Sequence, residues 1–447
     1  MLKRYISNKI KDYLTEDKKK ALLIDGARQV GKTYIIRAIL NEIEADYVEI
    51  NFIENKNAKE LFSDFNDTKD ILNRISVLTD KELKKGKTII FFDEVQEVKE
   101  LVTAIKFLVE EGSYKYVLSG SMLGVELQDI KSQPVGYLDE IKMYPMDFTE
   151  FIMSLGVKNE TIDIIKDCFK NDKKVDDVIN DKLLNLFRLY CIVGGMPAVV
   201  SRYIETNDLN EVLNEQRNIM LKYREDIVKY IDKDKLHIKA IFDNIPSELN
   251  KANKRFIYNN IGKNFRFNRE HNNFAWLTDA GVANACFVAD ELKIPLKLSK
   301  ATNLFKLYQS DVGLLVSTYN KTLQKSIVNN EDDINYGAIY ENAVSQLLTA
   351  HGFELYYYNN KKRGEIDFVI EYDEGVYLME IKSGKTYNRH RALSNVVGEN
   401  LNGIKKGYVF GNCNVYRDDN IQYYPIYMVD LIRSEDENEK LIYKVNI

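Results

Sequence analysis

Along the first 150 residues, short continuous apolar runs alternate with longer stretches in which apolar residues recur every three or four positions. The runs are Ala21–Ile24, Tyr47–Ile50, Thr88–Phe92 and Tyr114–Leu118. A strand covered on both faces reads as such a run because neither side meets water, and the amphipathic stretches between supply crossover helices. The pattern predicts a parallel α/β domain over 1–150. From 151 to 234 the spacing is helical, as in Phe151–Leu155 and Leu183–Phe187, interrupted by the turn signal Gly194-Gly195-Met196-Pro197. An all-helical lid is expected there. Over 235–325, helices near Ile238–Phe242, Phe256–Ile261 and Trp276 precede shorter alternating runs that end at Tyr308, which predicts a winged-helix-like domain. The polar stretch Asn329–Asp333 marks a boundary. Beyond it, 330–447 reads as a last α/β domain: a helix over Tyr336–Ala350, then strands at Leu355–Tyr358, Glu365–Tyr372 and Val376–Lys382.

Composition narrows the chemistry. At 447 residues, 45% hydrophobic and 29% charged, the chain is too long for one core and too apolar for disorder. A net charge of −5 means no whole-chain positive field, so any contact with DNA or RNA has to be local. Cys168, Cys191, Cys286 and Cys413 lie far apart without CxxC spacing, which argues against a zinc knuckle or a disulfide scaffold and fits a reducing compartment. No run approaches the ~20 apolar residues of a membrane span, so a cytoplasmic protein without membrane contact is expected. With four histidines, carboxylates and lysines must carry the chemistry.

The first candidate site is Gly26-Ala27-Arg28-Gln29-Val30-Gly31-Lys32-Thr33, which matches G-x-x-x-x-G-K-[ST] between the run Ala21–Ile24 and the amphipathic stretch Tyr34–Leu40. Glycines let the backbone curl so that its N–H groups face phosphates; Lys32 reaches the β- and γ-phosphates, and Thr33 helps hold Mg²⁺. The run Thr88–Phe92 ends in Asp93-Glu94, where Asp93 would complete the Mg²⁺ shell and Glu94 would polarise the attacking water. A second carboxylate beside the metal favours hydrolysis of ATP over its mere binding. The next run ends in Ser119-Gly120-Ser121, placing a hydroxyl at the same sheet edge to sense the γ-phosphate, or simply a Gly-Ser turn.

Together with Met143–Phe151, Gly194-Gly195-Met196-Pro197 and Glu341…Asp367…Glu380-Ile381-Lys382, these residues resemble a family of bacterial and archaeal AAA-type ATPases with a C-terminal region of unknown function. The resemblance covers nearly the whole chain and implies ATP binding. AAA-type proteins generally supply an arginine to the transferring phosphate. Here Pro134-Val135-Gly136-Tyr137-Leu138 contains none, and Arg188 and Arg202 are candidates for that role or ordinary members of surface ion pairs. Ring assembly or other self-association is carried over from the class alone.

The second candidate site is C-terminal. Arg363–Tyr372 and Val376–Lys382 alternate in polarity and are separated by Asp373-Glu374-Gly375, a hairpin signal. Depending on the turn, Asp367 lies opposite Glu380 or Lys382, and either register gathers all three on one face. Two carboxylates there suit a hard divalent cation, and a lysine suits a developing phosphorane charge. The arrangement resembles the PD-(D/E)XK nuclease superfamily, and so implies a restriction-endonuclease-like fold in which Glu341, on the preceding helix, completes a metal set with Asp367 and Glu380. Ile366 stands at the position of the motif's proline. Gly384 and Lys385 follow as further phosphate contacts, and Tyr356-Tyr357-Tyr358 beside Lys361-Lys362-Arg363 offers either a base-stacking surface or one strand's packing face. Three functions are consistent with these residues: an ATPase whose nucleotide state controls a nucleic-acid-binding, nuclease-like domain; a nucleotide-dependent switch or scaffold for a protein partner; and an ATP-gated, metal-dependent nuclease.

Overall fold

The computed structural model describes residues 2–16, 18–121, 136–230, 235–251, 253–257, 267–320, 324–327, 336–384 and 386–434. Pro134, Val135, the boundary Asn329–Asp333, Lys385 and most of the expected helix Phe256–Ile261 lie outside them. The chain divides into two compact units: 1–144 with 275–282, and 145–274 with 283–447.

The first unit is built on a five-stranded sheet of β1 (Ala21–Gly26), β2 (Tyr47–Asn51), β3 (Ile89–Asp93), β4 (Lys115–Ser121) and β5 (Leu138–Lys142). Its order is β2-β3-β4-β1-β5 and every pairing is parallel. Four strands coincide with the apolar runs. The fifth, Leu-Asp-Glu-Ile-Lys, lies at the edge with its residues partly or fully exposed, so it lacks the apolar signature of a buried strand. Packing on one face is dominated by aromatic rings, with Phe92 against Phe52 and Tyr116. Because β4 lies between β1 and β3, its C-terminal end borders both the glycine-rich loop and Asp93.

In the second unit an eight-stranded mixed sheet runs β12-β13-β11-β10-β9-β8-β6-β7. The strands are β6 (Ala283–Ala289), β7 (Lys300–Gln309), β8 (Leu355–Asn360), β9 (Gly364–Tyr372), β10 (Gly375–Lys382), β11 (Gly407–Gly411), β12 (Tyr416–Asp418) and β13 (Ile421–Pro425). The hairpin expected to form the wing of a winged helix is instead the edge of this sheet. Strand β6 pairs antiparallel with β7 on one side and parallel with β8 on the other. Its buried apolar residues are covered by joining the C-terminal strands, a pairing that local sequence cannot reveal.

Residues 151–230 are helical as expected: 159–170, 177–193, 197–206 and 209–230 follow the short helix 148–154. They belong with the C-terminal unit, however, not with the P-loop unit as a lid would. The physical reason is an aromatic cluster in which Phe148 packs against Phe187, Tyr190 and Tyr427, and Phe187 against Tyr340. The Gly194-Gly195 turn is structural. A side chain at Gly195 would stand 2.1 Å from the Met146 carbonyl oxygen, and its N–H donates to buried Asp311 at 2.6 Å. The four described cysteines are free and buried. No single described helix is long and apolar enough to cross a membrane; the bent pair 177–193 and 197–206 passes by composition, but much of it lies in this core.

Candidate nucleotide site and the C-terminal carboxylate cluster

The loop after β1 is shaped by two features of its sequence. A side chain at Gly26 would stand 2.2 Å from the Met143 carbonyl oxygen, so only glycine allows this crossing. Gln29 (φ 67°) and Gly31 (φ 93°) adopt left-handed backbone conformations on either side of Val30, curling the loop into the N-terminus of helix 32–42. Arg4 braces the loop from outside, donating to the Val30 carbonyl at 3.3 Å and to the Tyr144 carbonyl at 2.7 Å.

Lys32 is buried at 6% exposure, and its ammonium donates at 2.9 Å to Gly26 O, Ala27 O and Ser121 Oγ. Burial pushes its pKa down to about 8, partly offset by Glu94, Asp25 and Asp93. Strand register explains the Ser121 contact, since Ser121 sits opposite Gly26 across β1 and β4. Asp93, 1% exposed, accepts from Thr33 Oγ1 at 2.9 and 3.0 Å, from Asn51 Nδ2 at 2.7 Å, and from the Ser119 hydroxyl. Burial raises its pKa, against the Ser119 and Thr33 hydrogen bonds that lower it.

Thus Lys32, Thr33, Asp93 and Ser119 are brought together, with Ser119 on the Asp93 carboxylate and Ser121 on the lysine. Glu94 follows in a left-handed conformation (φ 60°) and accepts from Gln96 Nε2 at 2.5 Å. The adjacency of the Thr33 hydroxyl to both Asp93 oxygens fits a hard divalent cation carried in with a nucleotide. Sequence reasoning missed Asn51 and Gln96. Asn51 was findable in part, as the polar residue ending the strand that pairs with β3, opposite Asp93.

Residues 18–152 match the AAA domain family. They form an AAA-type P-loop domain. Two further segments match families without an assigned role, 184–325 a Domain of unknown function (DUF8612) and 336–429 a Domain of unknown function (DUF4143). The chain is 25% identical to an uncharacterized protein of Methanocaldococcus jannaschii over 94% of its own length and 86% of that protein's. Among solved structures it is similar to the Walker-type ATPase of Pyrococcus abyssi, at 16% identity and a TM-score of 0.44 over 71% of this chain and 95% of that one. It is also similar to the ORC1 protein of Aeropyrum pernix in complex with DNA, at 12% identity and a TM-score of 0.29 over 73% and 90% of the respective chains.

Outside the AAA domain, β9 and β10 form the expected hairpin, with Gly375 opposite Tyr372 and Met379 opposite Phe368. This register brings Asp367 beside Glu380, the first of the two alternatives. Asp367 accepts from the Ile381 N–H at 2.9 Å, and Lys382 donates to Glu380 Oε1 at 2.6 Å. The other Glu380 oxygen is buried without a hydrogen-bond partner. Burial, then the Asp367 charge, pushes the Glu380 pKa up to about 8.

Glu341 is adjacent but turned to other partners. One oxygen is ion-paired with Lys254; the other accepts from Tyr308 at 3.1 Å and lies 3.8 Å from Lys306. Burial works against its charge, yet Lys254 and Lys306 hold its pKa below the ordinary glutamate value. Lys306, at 0% exposure, also pairs with Glu365 at 2.8 Å. One trio among the described residues brings its His, Cys, Asp or Glu ligand atoms within 4.8 Å of one another, and it is Asp147, His351 and Asp430. The expected set of Glu341, Asp367 and Glu380 does not converge as a metal cage, because lysines occupy Glu341. Asp367 and Glu380 remain side by side, with one Glu380 oxygen unpartnered. Lys254 and Lys306 were invisible as site residues, although a lysine inside the apolar run Phe305-Lys306-Leu307-Tyr308 was a signal.

The Asp147, His351 and Asp430 trio reads as a clamp. His351 Nδ1 is 2.8 Å from the Ile432 carbonyl, and Nε2 lies 3.4 Å from Asp147 and 3.5 Å from Asp430. The Arg433 guanidinium lies 3.0 Å from Asp147. Tyr356, Tyr357 and Tyr358 are all buried, the first and third in one apolar core and Tyr357 against the Lys306 ammonium, so no stacking surface is open there. Arg363 pairs with Glu399 at 2.6 Å, and Arg202 lies 3.8 and 3.9 Å from Glu205 and Glu211. Arg188 donates to Asn185.

Proposed function

We propose that the chain is an ATP-hydrolysing AAA-type protein whose nucleotide state controls a nuclease-like, nucleic-acid-binding C-terminal domain. The observation that carries the hydrolytic part is the junction of Thr33, Asp93, Asn51 and Ser119 beside Glu94: a fully hydrogen-bonded carboxylate for the cation and a second carboxylate for water. Thr33 and Asp93 would hold Mg²⁺, which when bound neutralises charge between the β- and γ-phosphates. Lys32 would exchange its three neutral acceptors for phosphate oxygens, and Glu94 would orient the attacking water and draw off its proton. The lysine and carboxylate cluster on β9 and β10 supports contact with a phosphodiester through Lys382, whereas the occupation of Glu341 by Lys254 favours binding over cutting.

That same occupation supports a second reading, a nucleotide-dependent switch for a protein partner with an inactive nuclease-like site. An ATP-gated nuclease is the third. Purified protein is to be incubated with labelled DNA and RNA, with and without ATP and Mn²⁺, comparing wild type with Lys32→Ala and Asp367→Ala. Salt-sensitive binding that changes with ATP and disappears in Lys32→Ala supports the leading reading. Turnover without any nucleic-acid binding supports the switch. Metal-dependent cutting lost in Asp367→Ala supports the nuclease.

A further inference from the structure

We infer that Gln96 is a positioning residue that holds the Glu94 carboxylate in register with the P-loop lysine; the inference rests on the hydrolytic reading above. Three hydrogen bonds connect the two charged groups. Lys32 Nζ donates to Ser121 Oγ at 2.9 Å, the Ser121 N–H donates to Gln96 Oε1 at 3.2 Å, and Gln96 Nε2 donates to Glu94 Oε2 at 2.5 Å.

Each link has a local cause. Glu94 leaves β3 in the left-handed conformation, and the 3₁₀ turn Val95–Glu97 that follows brings residue 96 back beside residue 94. Strand β4 carries Ser121 to the same edge, opposite Gly26. Gln96 is 5% exposed, so its amide exchanges no partner for bulk water, and only one orientation satisfies both ends: oxygen toward the Ser121 N–H, nitrogen toward the carboxylate. A glutamate at the end of a strand has several rotamers, and ordering one of them costs conformational entropy at each turnover unless a neighbour has fixed it beforehand. Gln96 does this by taking Oε2, so that Oε1 would be the oxygen offered to the attacking water.

The consequence is that the group that grips phosphate and the group that orients water are referenced to one residue, Ser121. When Lys32 moves to a phosphate, it gives up the Ser121 hydroxyl, but the backbone link from Ser121 to Gln96 and Glu94 does not depend on that hydroxyl and persists. Glu94 therefore keeps its place while Lys32 changes partners.

The test uses full-length protein with Mg·ATP. Gln96→Met keeps the buried volume and removes both polar ends; Gln96→Ala removes the volume as well. Phosphate release gives kcat and KM, a fluorescent ATP analogue gives Kd, and thermal unfolding reports integrity. The expected result is a kcat lowered roughly 10- to 100-fold in Gln96→Met, with KM and Kd within about twofold of wild type and folding retained. The inference is overturned if an active wild type and Gln96→Met share the same kcat, or if Kd weakens in step with kcat, which marks a general disturbance of the loop. If Gln96→Met does not fold, Gln96→Glu serves: it keeps an acceptor for the Ser121 N–H but sets a carboxylate against Glu94 in place of the donor, so kcat falls while Kd stays within about twofold, and an unchanged kcat overturns the inference. A wild type that binds nucleotide but never releases phosphate sinks the hydrolytic reading itself, a result distinguishable from failure of the Gln96 role.

Discussion

Lys32 and Lys306 are both buried lysines, and their surroundings treat the ammonium in opposite ways. Around Lys32 the direct partners are two carbonyls and a hydroxyl, neutral groups that satisfy its donors without balancing its charge, so burial prevails and its pKa falls to about 8. Around Lys306 burial is opposed by Glu341, Glu365 and Asp367, which together hold its pKa above the ordinary lysine value. A charge held by neutral dipoles loses little by exchanging them for phosphate oxygens. One held by buried carboxylates is a counter-ion that cannot leave without exposing them. The lysine in the AAA domain can thus change partners at little cost, and the lysine in the C-terminal unit is committed to the fold.

The largest effect that would break this contrast is on nucleotide. Lys32→Ala should weaken Mg·ATP binding and turnover by at least roughly a hundredfold, the scale of losing a charge-stabilising donor, as read by calorimetry and phosphate release. Its unfolding free energy should stay close to wild type. Lys306→Ala should do the reverse and cost about 3–5 kcal/mol in urea unfolding, because it removes the counter-ion of the buried Glu341 carboxylate. If Lys306→Ala were as stable as wild type, the counter-ion role would fail.

An intermediate effect tests whether the clamp at Asp147 follows the same counter-ion logic. Hydrogen bonding and charge from His351, with Arg433, hold the Asp147 pKa at about 2, below its ordinary 3.8, although burial opposes them. A depressed carboxylate pKa contributes stability that is complete above the unfolded value and is lost as pH falls through the folded one. Asp147→Asn should therefore cost about 1–3 kcal/mol at pH 6, and the gap to wild type should close between pH 4 and pH 2 in chemical denaturation. A gap independent of pH would rule out ion pairing as its source.

Smaller still, Lys254→Ala should release Glu341 and tighten Mn²⁺ binding at the C-terminal carboxylates by about tenfold, the scale on which neighbouring groups tune metal ligands; unchanged calorimetric affinity would show that Lys254 does not block the site. Arg202→Ala, which removes an exposed and loosely paired arginine, should change stability by less than about 0.5 kcal/mol and leave ATP turnover intact. A strong loss of turnover would instead mark Arg202 as a participant in phosphate chemistry.

Much of the AAA domain was legible because its signals are local. Four apolar runs became four strands, and the fixed spacing from Gly26 to Thr33 brought its own strand and helix with it. The β9–β10 hairpin was legible for the same reason, down to a choice between two registers. What the sequence by itself determined is therefore the glycine-rich loop, the carboxylates that end β3 and the shared face of Asp367, Glu380 and Lys382, since each follows from backbone periodicity over a few residues. Tertiary structure alone decided that the 283–309 hairpin extends the C-terminal sheet, that the helices after residue 148 pack with that sheet, that Gln96 reaches Glu94 and Ser121, and that lysines 254 and 306 claim Glu341. Those outcomes depend on which distant groups must cover an apolar face or neutralise a buried charge, and such partners are chosen in space, where separation along the chain carries no information.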